Sequence, residues 1–207
     1  MNIKYVDYFL KLKCAPDILG IVSPISAGPA KEISEAVTII KRLREETVKD
    51  PMKYNVLELC AGNPIPSILS VFCQPVEYAV AFDKREIKRD WEKAKRFKYI
   101  QGDIYQNTVY DHINENTIII ASHPCSELSK RIVEIYLSSD ARSLYFIPCC
   151  IGQYLPAEFP QKEFLKNELG RYKAWSFYLA SKCGGKLEQD VNCISPANII
   201  IKAKKYK

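Results

Sequence analysis

VLELCAGNPIPS, Val56 to Ser67, begins as a run of large aliphatic side chains broken only by Glu58 and continues through Cys60-Ala61-Gly62-Asn63-Pro64. A short aliphatic run without polar alternation is the pattern of a strand buried on both faces of a parallel sheet. Gly62 can take a positive φ and lets backbone pass close to a ligand. Asn63 tolerates the left-handed region, so the turn can form with a single glycine. Ser67 then leads into a segment of helical character, 67–73. Strand, tight turn and helix in that order make the first half of a βαβ unit.

The alternation continues along the chain. Runs 55–59 (NVLEL), 78–82 (YAVAF), 98–100, 117–121 (TIIIA) and 143–147 (SLYFI) read as strands. Segments 85–95 and 127–137 between them read as helices, and a further helix is expected over 161–182. Runs 186–193 and 198–204 are separated only by Ile194-Ser195-Pro196-Ala197, too short for a parallel crossover, so they should pair as a hairpin. Upstream, residues 1–19 read as one helix. A loop with Ser23, Pro24, Gly28 and Pro29 follows, then an amphipathic helix from Ile33 to about Glu46, ended by Asp50-Pro51. The expected fold is α/β: a Rossmann-like, doubly wound, mostly parallel seven-stranded sheet with a terminal antiparallel hairpin. Residues 1–52 would form an N-terminal helical extension or lid, and 53–207 the sheet domain.

Composition agrees. With 47% hydrophobic residues and a net charge of only +6 over 207 residues, the chain is rich enough in apolar side chains to fold. No apolar run approaches the ~20 residues of a membrane-spanning helix. The opening MNIKYVDYFLKLK has neither the apolar stretch nor the cleavage site of a signal peptide, so a soluble cytoplasmic protein with no membrane partner is expected. Cys14, Cys60, Cys73, Cys125, Cys149, Cys150, Cys183 and Cys193 are scattered without Cys-x-x-Cys spacing, which suits neither a disulfide framework nor a zinc ribbon.

Acidic residues recur at strand ends. Asp83 closes the second strand about 20 residues after Gly62, the spacing at which a carboxylate accepts hydrogen bonds from ribose hydroxyls. The third strand runs into Gln101-Gly102-Asp103-Ile104, the fourth into ASHPCSELS (Ala121 to Ser129) and the fifth into PCCIGQ (Pro148 to Gln153). A dinucleotide is not indicated, because the Gly-x-Gly-x-x-Gly fingerprint is missing.

Element order and these strand-end motifs resemble the class I methyltransferases that use S-adenosylmethionine. The resemblance implies that Glu58, Cys60, Ala61, Gly62, Asn63, Asp83, Lys84, Asp103 and Ile104 hold that cofactor, with Asp103 meeting the adenine. The two late motifs resemble a subgroup with His-x-Cys-Gly after the fourth strand and Pro-Cys-Cys after the fifth. It includes acceptor-stem tRNA ribose 2′-O-methyltransferases and ribosomal RNA adenine dimethylase domain-containing proteins. His123, Cys125, Leu128, Pro148, Cys149, Cys150 and Gly152 match, whereas Ser126 stands where the subgroup has Gly. The resemblance implies that Ser122, His123 and Cys125 face the acceptor.

Physically, His123 could be a general base, and Cys125 a nucleophile of the cytosine-methylating kind. Imidazole and thiolates also suit zinc, although adjacent Cys149 and Cys150 rarely bind one ion, and no metal is assigned. The same side chains could simply pack and cap. His112, in the polar stretch DHINEN, reads as a surface residue. Segment 84–98, KREIKRDWEKAKRFK, carries eight basic and three acidic residues with Trp91 and Phe97 interleaved, and Lys202, Lys204, Lys205 and Lys207 add to the charge. Such clusters suit a polyanion, so RNA is the expected partner. The stretch PAEFP, 156–160, could form a lid. A small-molecule or protein methyltransferase, or a catalytically silent binding module, remains the alternative.

Overall fold

The computed structural model describes residues 3–22, 29–149 and 162–205, with only the backbone of 162–169. The expected Ser23–Gly28 part of the loop, Cys150, Gly152, Gln153, the stretch 156–160 and Lys207 lie outside the described residues. Helices α1 (Lys4–Leu10), α2 (Ala15–Val22) and α3 (Pro29–Thr47) precede β1 (Asn55–Leu59), α4 (Ile65–Cys73), β2 (Ala79–Asp83) and β3 (Phe97–Gln101). Then come β4 (Thr117–Ser122), α5 (Glu127–Ser138), β5 (Ser143–Ile147), α6 (Lys162–Cys183), β6 (Lys186–Gln189) and β7 (Ile199–Lys204).

The strands form a seven-stranded sheet in the order β3-β2-β1-β4-β5-β7-β6. Pairs β1·β2, β2·β3, β1·β4 and β4·β5 are parallel, and β7 runs antiparallel to both β5 and β6. The expected Rossmann-like sheet with its terminal hairpin is therefore present.

Successive strand residues point to opposite faces, and both faces are covered. Val56, Ile118, Ile120, Tyr145 and Ile200 pack with the helices before β2. Leu57, Leu59, Ile119, Leu144 and Ile201 pack with α5 and α6. A layer on each face leaves no strand side that needs polar residues, which explains the near-continuous hydrophobic runs.

Two helix expectations are corrected. In place of one helix over 1–19 the described residues form two, α1 and α2, broken at 11–14, where Leu12 and Ala15 close short turns through N–H···O bonds to Phe9 and Leu12. Segment 85–95 holds only a single 3₁₀ turn, Trp91–Lys93. Its charged side chains are mostly exposed and offer no apolar stripe to bury against the sheet. Instead Trp91 stacks on Tyr99 of β3 at 5.2 Å between ring centroids and tilts against Phe97, with the Arg89 guanidinium over its ring. His112 is half-buried beside the Phe82 ring rather than fully at the surface, and burial lowers its pKa.

Polar clamps tie α3 to distant strands. Arg42 pairs with Asp190 at 2.5 Å and with Glu188, and the Tyr5 hydroxyl donates to Asp190 at 2.6 Å. Tyr145 of β5 donates to Glu46 of α3. Among the described residues no helix is long and apolar enough to cross a membrane.

Candidate active site

Strand order reverses between β1 and β4, and in open α/β sheets ligands bind beyond the carboxyl ends of the strands at that point. Two adjoining cavities open there, of about 430 and 400 Å³, sharing Cys60, Arg85 and His123 as walls. The first is bounded by Lys31, Glu32 and Glu35 of α3, the turn after β1, Ser122 and His123. The second is bounded by Asp83, Lys84, Gly102, Asp103, Ile104, Tyr105, Pro124, Cys125 and Leu128.

The turn after β1 is built on two left-handed residues, Cys60 (φ 55°) and Gly62 (φ 51°). Its backbone is held against β2: Ala61 N–H donates to the Phe82 carbonyl at 3.3 Å and Gly62 N–H to Asp83 Oδ2 at 2.7 Å. Asn63 is fixed on both sides, donating to Glu32 at 3.0 Å and accepting from Arg89 at 3.1 Å. Glu58 lines neither cavity. It is 1% exposed, and its Oε2 accepts from Ser67 N–H at 2.9 Å and Ser67 Oγ–H at 2.5 Å. The carboxyl group thus ties β1 to the first turn of α4, and burial pushes its pKa up to about 8.

Asp83 is the most fully engaged acid of the cleft. Burial raises its pKa, but hydrogen bonds from the Arg85 side chain, Arg85 N–H and Gly62 N–H outweigh this and leave it lowered. Arg85 Nε lies 3.0 Å from Asp83 Oδ1, and a Cβ added to Gly62 would sit 2.6 Å from Arg85 Nη2. The guanidinium therefore covers both the carboxylate and the glycine, so a ligand diol reaching Asp83 must exchange with it. Asp103 accepts from Tyr105 N–H and pairs with Lys84 at 3.2 Å, and these contacts lower its pKa. Gly102 is needed for packing, since a Cβ there would fall 2.2 Å from the Phe82 ring.

On the acceptor side His123 also has left-handed backbone (φ 58°), anchored by its N–H to the Ile147 carbonyl at 2.9 Å. Its Nε2 comes within 2.6 Å of Glu35 Oε1, without the geometry of a regular hydrogen bond. Cys125 is exposed, and its Sγ lies 3.2 Å from that of Cys149. Burial, reinforced by Asp83 and Asp103, pushes the Cys60 thiol up to about 12, so it stays protonated and contributes shape rather than nucleophilicity. Among the described residues no group of three or more His, Cys, Asp and Glu side chains is arranged to hold a metal ion.

Of the residues singled out in the sequence, Cys60, Ala61, Gly62, Asn63, Asp83, Lys84, Asp103, Ile104, Ser122, His123 and Cys125 all line the cleft. Sequence reasoning missed Glu35 and Tyr105. Glu35 lies inside a stretch of α3, 33–40, that the structure buries at every position.

The side chains present fit an adenosyl amino-acid ligand. Asp83 and Asp103 offer acceptors at one end, Gly62 lets backbone approach once Arg85 moves aside, and Lys31 and Glu32 offer opposite charges at the other end. Comparison with curated proteins gives no match. Among solved structures, the Thermoplasma acidophilum protein 1320 shares 15% identity at a TM-score of 0.54, over 100% of this chain and 99% of that chain. The pyocyanin biosynthetic protein PhzM shares 16% at 0.53, over 98% of this chain and 62% of that chain. The mitomycin 7-O-methyltransferase MmcR shares 12% at 0.53, over 98% and 60%. At these identities the likeness is one of fold. S-Adenosylmethionine is the cofactor of this class I methyltransferase fold. Residues 30–154 match a family model described as a methyltransferase domain, and the chain belongs to that family.

Proposed function

We propose that the protein methylates RNA. The observation that carries this reading is that the basic segment starts at the cleft and runs out along the edge of the sheet. Lys84 and Arg85 line the second cavity and Lys88 follows as an exposed charge, while Lys93, Lys95 and Lys98 continue the exposed charge toward the amino end of β3. Phosphates bound along this edge would hold an acceptor nucleotide over His123 and Cys125.

When bound, S-adenosylmethionine supplies a methyl group already activated on a sulfonium, so this chain's main task is alignment. Asp83, the 60–63 turn, Lys84, Asp103 and Ile104 would hold the cofactor, while Glu58 keeps the turn in register through Ser67. His123, which Glu35 contacts and which borders both cavities, would take the proton from an RNA hydroxyl or amine. Ser122 borders the same cavity and can orient the acceptor.

The test is transfer of a radiolabelled methyl group to total RNA, protein and metabolite fractions. Label in RNA that declines at high salt supports the reading. Label confined to metabolites or protein overturns the substrate, and no label in any fraction overturns methyl transfer.

A further inference from the structure

We propose that Cys125 and Cys149 are a redox modification site that closes into a reversible disulfide at the rim of the cleft. β4 and β5 are parallel neighbours whose last paired residues are Ser122 and Ile147. The chains leaving them carry Cys125 and Cys149 to one place, with the sulfurs 3.2 Å apart. Both thiols also lean on one acceptor, the His123 carbonyl, at 3.7 and 3.4 Å. Cys125 is exposed and Cys149 half-buried, so an oxidant in solution reaches the pair.

A second pair is a natural contrast. Cys14 and Cys73 lie 3.7 Å apart, both half-buried, and burial pushes Cys73 up to about 12. Since the thiolate is the reacting species, Cys73 is a poor first attacker on an oxidant.

With a peroxide as oxidant the atoms balance. The Cys125 thiolate attacks one peroxide oxygen, breaking the O–O bond and giving a sulfenic acid and, with one proton, water. The Cys149 thiolate then attacks the sulfenic sulfur; an S–S bond forms and hydroxide leaves, taking a proton to become a second water. Two thiols are oxidised by two electrons and one peroxide is reduced. A dithiol reductant reverses the change by exchange.

The cross-link removes both S–H groups from the His123 carbonyl and joins the turn carrying His123 to the end of β5. Its effect on the cofactor rests on the methyltransferase reading, because Cys125 and Pro124 wall the second cavity. Oxidation should weaken adenosylhomocysteine binding severalfold.

The full chain is treated with submillimolar hydrogen peroxide and mapped by peptide mass spectrometry. A Cys125–Cys149 linked peptide that dithiothreitol removes, that is lost in Cys149→Ser, and that persists in Cys14→Ser supports the proposal. Irreversible sulfinic acid on Cys125, a Cys149–Cys150 product, or prior closure of Cys14–Cys73 overturns it. Calorimetry with adenosylhomocysteine on the reduced and oxidised forms separates the two ideas. A mapped cross-link in a protein that never binds the ligand leaves the disulfide standing and defeats the cofactor reading.

Discussion

Nε2 of His123, at the end of β4, lies 2.6 Å from Oε1 of Glu35, a carboxylate 5% exposed in α3. This contact joins the helical layer before β1 to the acceptor side of the cleft. Keeping the shape while removing the carboxyl group, Glu35→Gln, should lower methyl transfer by up to about 10²- to 10⁴-fold, the contribution of a positioned general base. Adenosylhomocysteine affinity should change by less than about threefold, because Glu35 acts through His123. Equal loss of rate and affinity would assign Glu35 to cofactor binding instead.

Asp83 and Arg85 give a paired test of the cofactor end. Asp83→Ala should weaken adenosylhomocysteine by about 10-fold or more, since hydrogen bonds to a charged group contribute about 1.5–3 kcal/mol. Arg85→Ala uncovers Asp83 and Gly62 and should leave binding equal or tighter. Calorimetry showing that both variants bind poorly would mean that Arg85 contacts the ligand rather than competing with it.

Glu58 sets a pH dependence of stability. Its pKa in the fold is raised to about 8 from an ordinary value of 4.5. Below pH 4.5 the folded and unfolded states both hold the proton, and the native contribution is complete. Between pH 4.5 and 8 the unfolded chain ionises while the native one keeps its proton, so stability falls as pH rises, by at most about 1.4 kcal/mol per pH unit. Above pH 8 the loss is complete. Glu58→Gln cannot ionise, so its melting temperature relative to wild type should climb from pH 5 to pH 8. A constant offset across that window would contradict the assignment.

Two glycines separate a steric from a conformational requirement. A Cβ at Gly102 would meet the ring of Phe82, itself 1% exposed and unable to retreat. Gly102→Ala should cost about 1–3 kcal/mol. Gly20, within α2, has nothing within 4 Å of such a Cβ, and Gly20→Ala should gain about 0.5–1 kcal/mol. Denaturant midpoints moving in the same direction for both variants would count against this packing account.

The basic edge can be tested apart from the cleft. Lys88→Glu with Lys95→Glu reverses two exposed charges that line neither cavity. RNA retention should fall and lose part of its salt dependence, while adenosylhomocysteine binding stays within about twofold. Unchanged retention would move the polyanion surface elsewhere.

The sheet was legible because burial on both faces writes itself into composition: Asn55–Leu59 and Ser143–Ile147 have the strand bounds read from their aliphatic and aromatic runs. The hairpin was read from a four-residue connection; β6 in fact ends at Gln189 and the connection is 190–198, still shorter than a parallel crossover needs. Segment 85–95 misled because Lys, Arg and Glu suit a solvated helix face as well as an extended charged loop, and only packing tells them apart. Glu35 escaped because its partner His123 follows β4, 88 positions later in the chain, and no local spacing encodes that meeting. Arg85 read as one charge among many until the backbone brought it over Asp83.

Arg42 joins an early helix to Glu188 and Asp190, 146 and 148 positions later, and Tyr5 spans 185 positions to the same aspartate. During synthesis on the ribosome, α1 and α3 therefore emerge long before the acids that neutralise Arg42. The latch on the helical layer is therefore made only once the β6–β7 hairpin is available, and contacts of such long sequence separation slow folding.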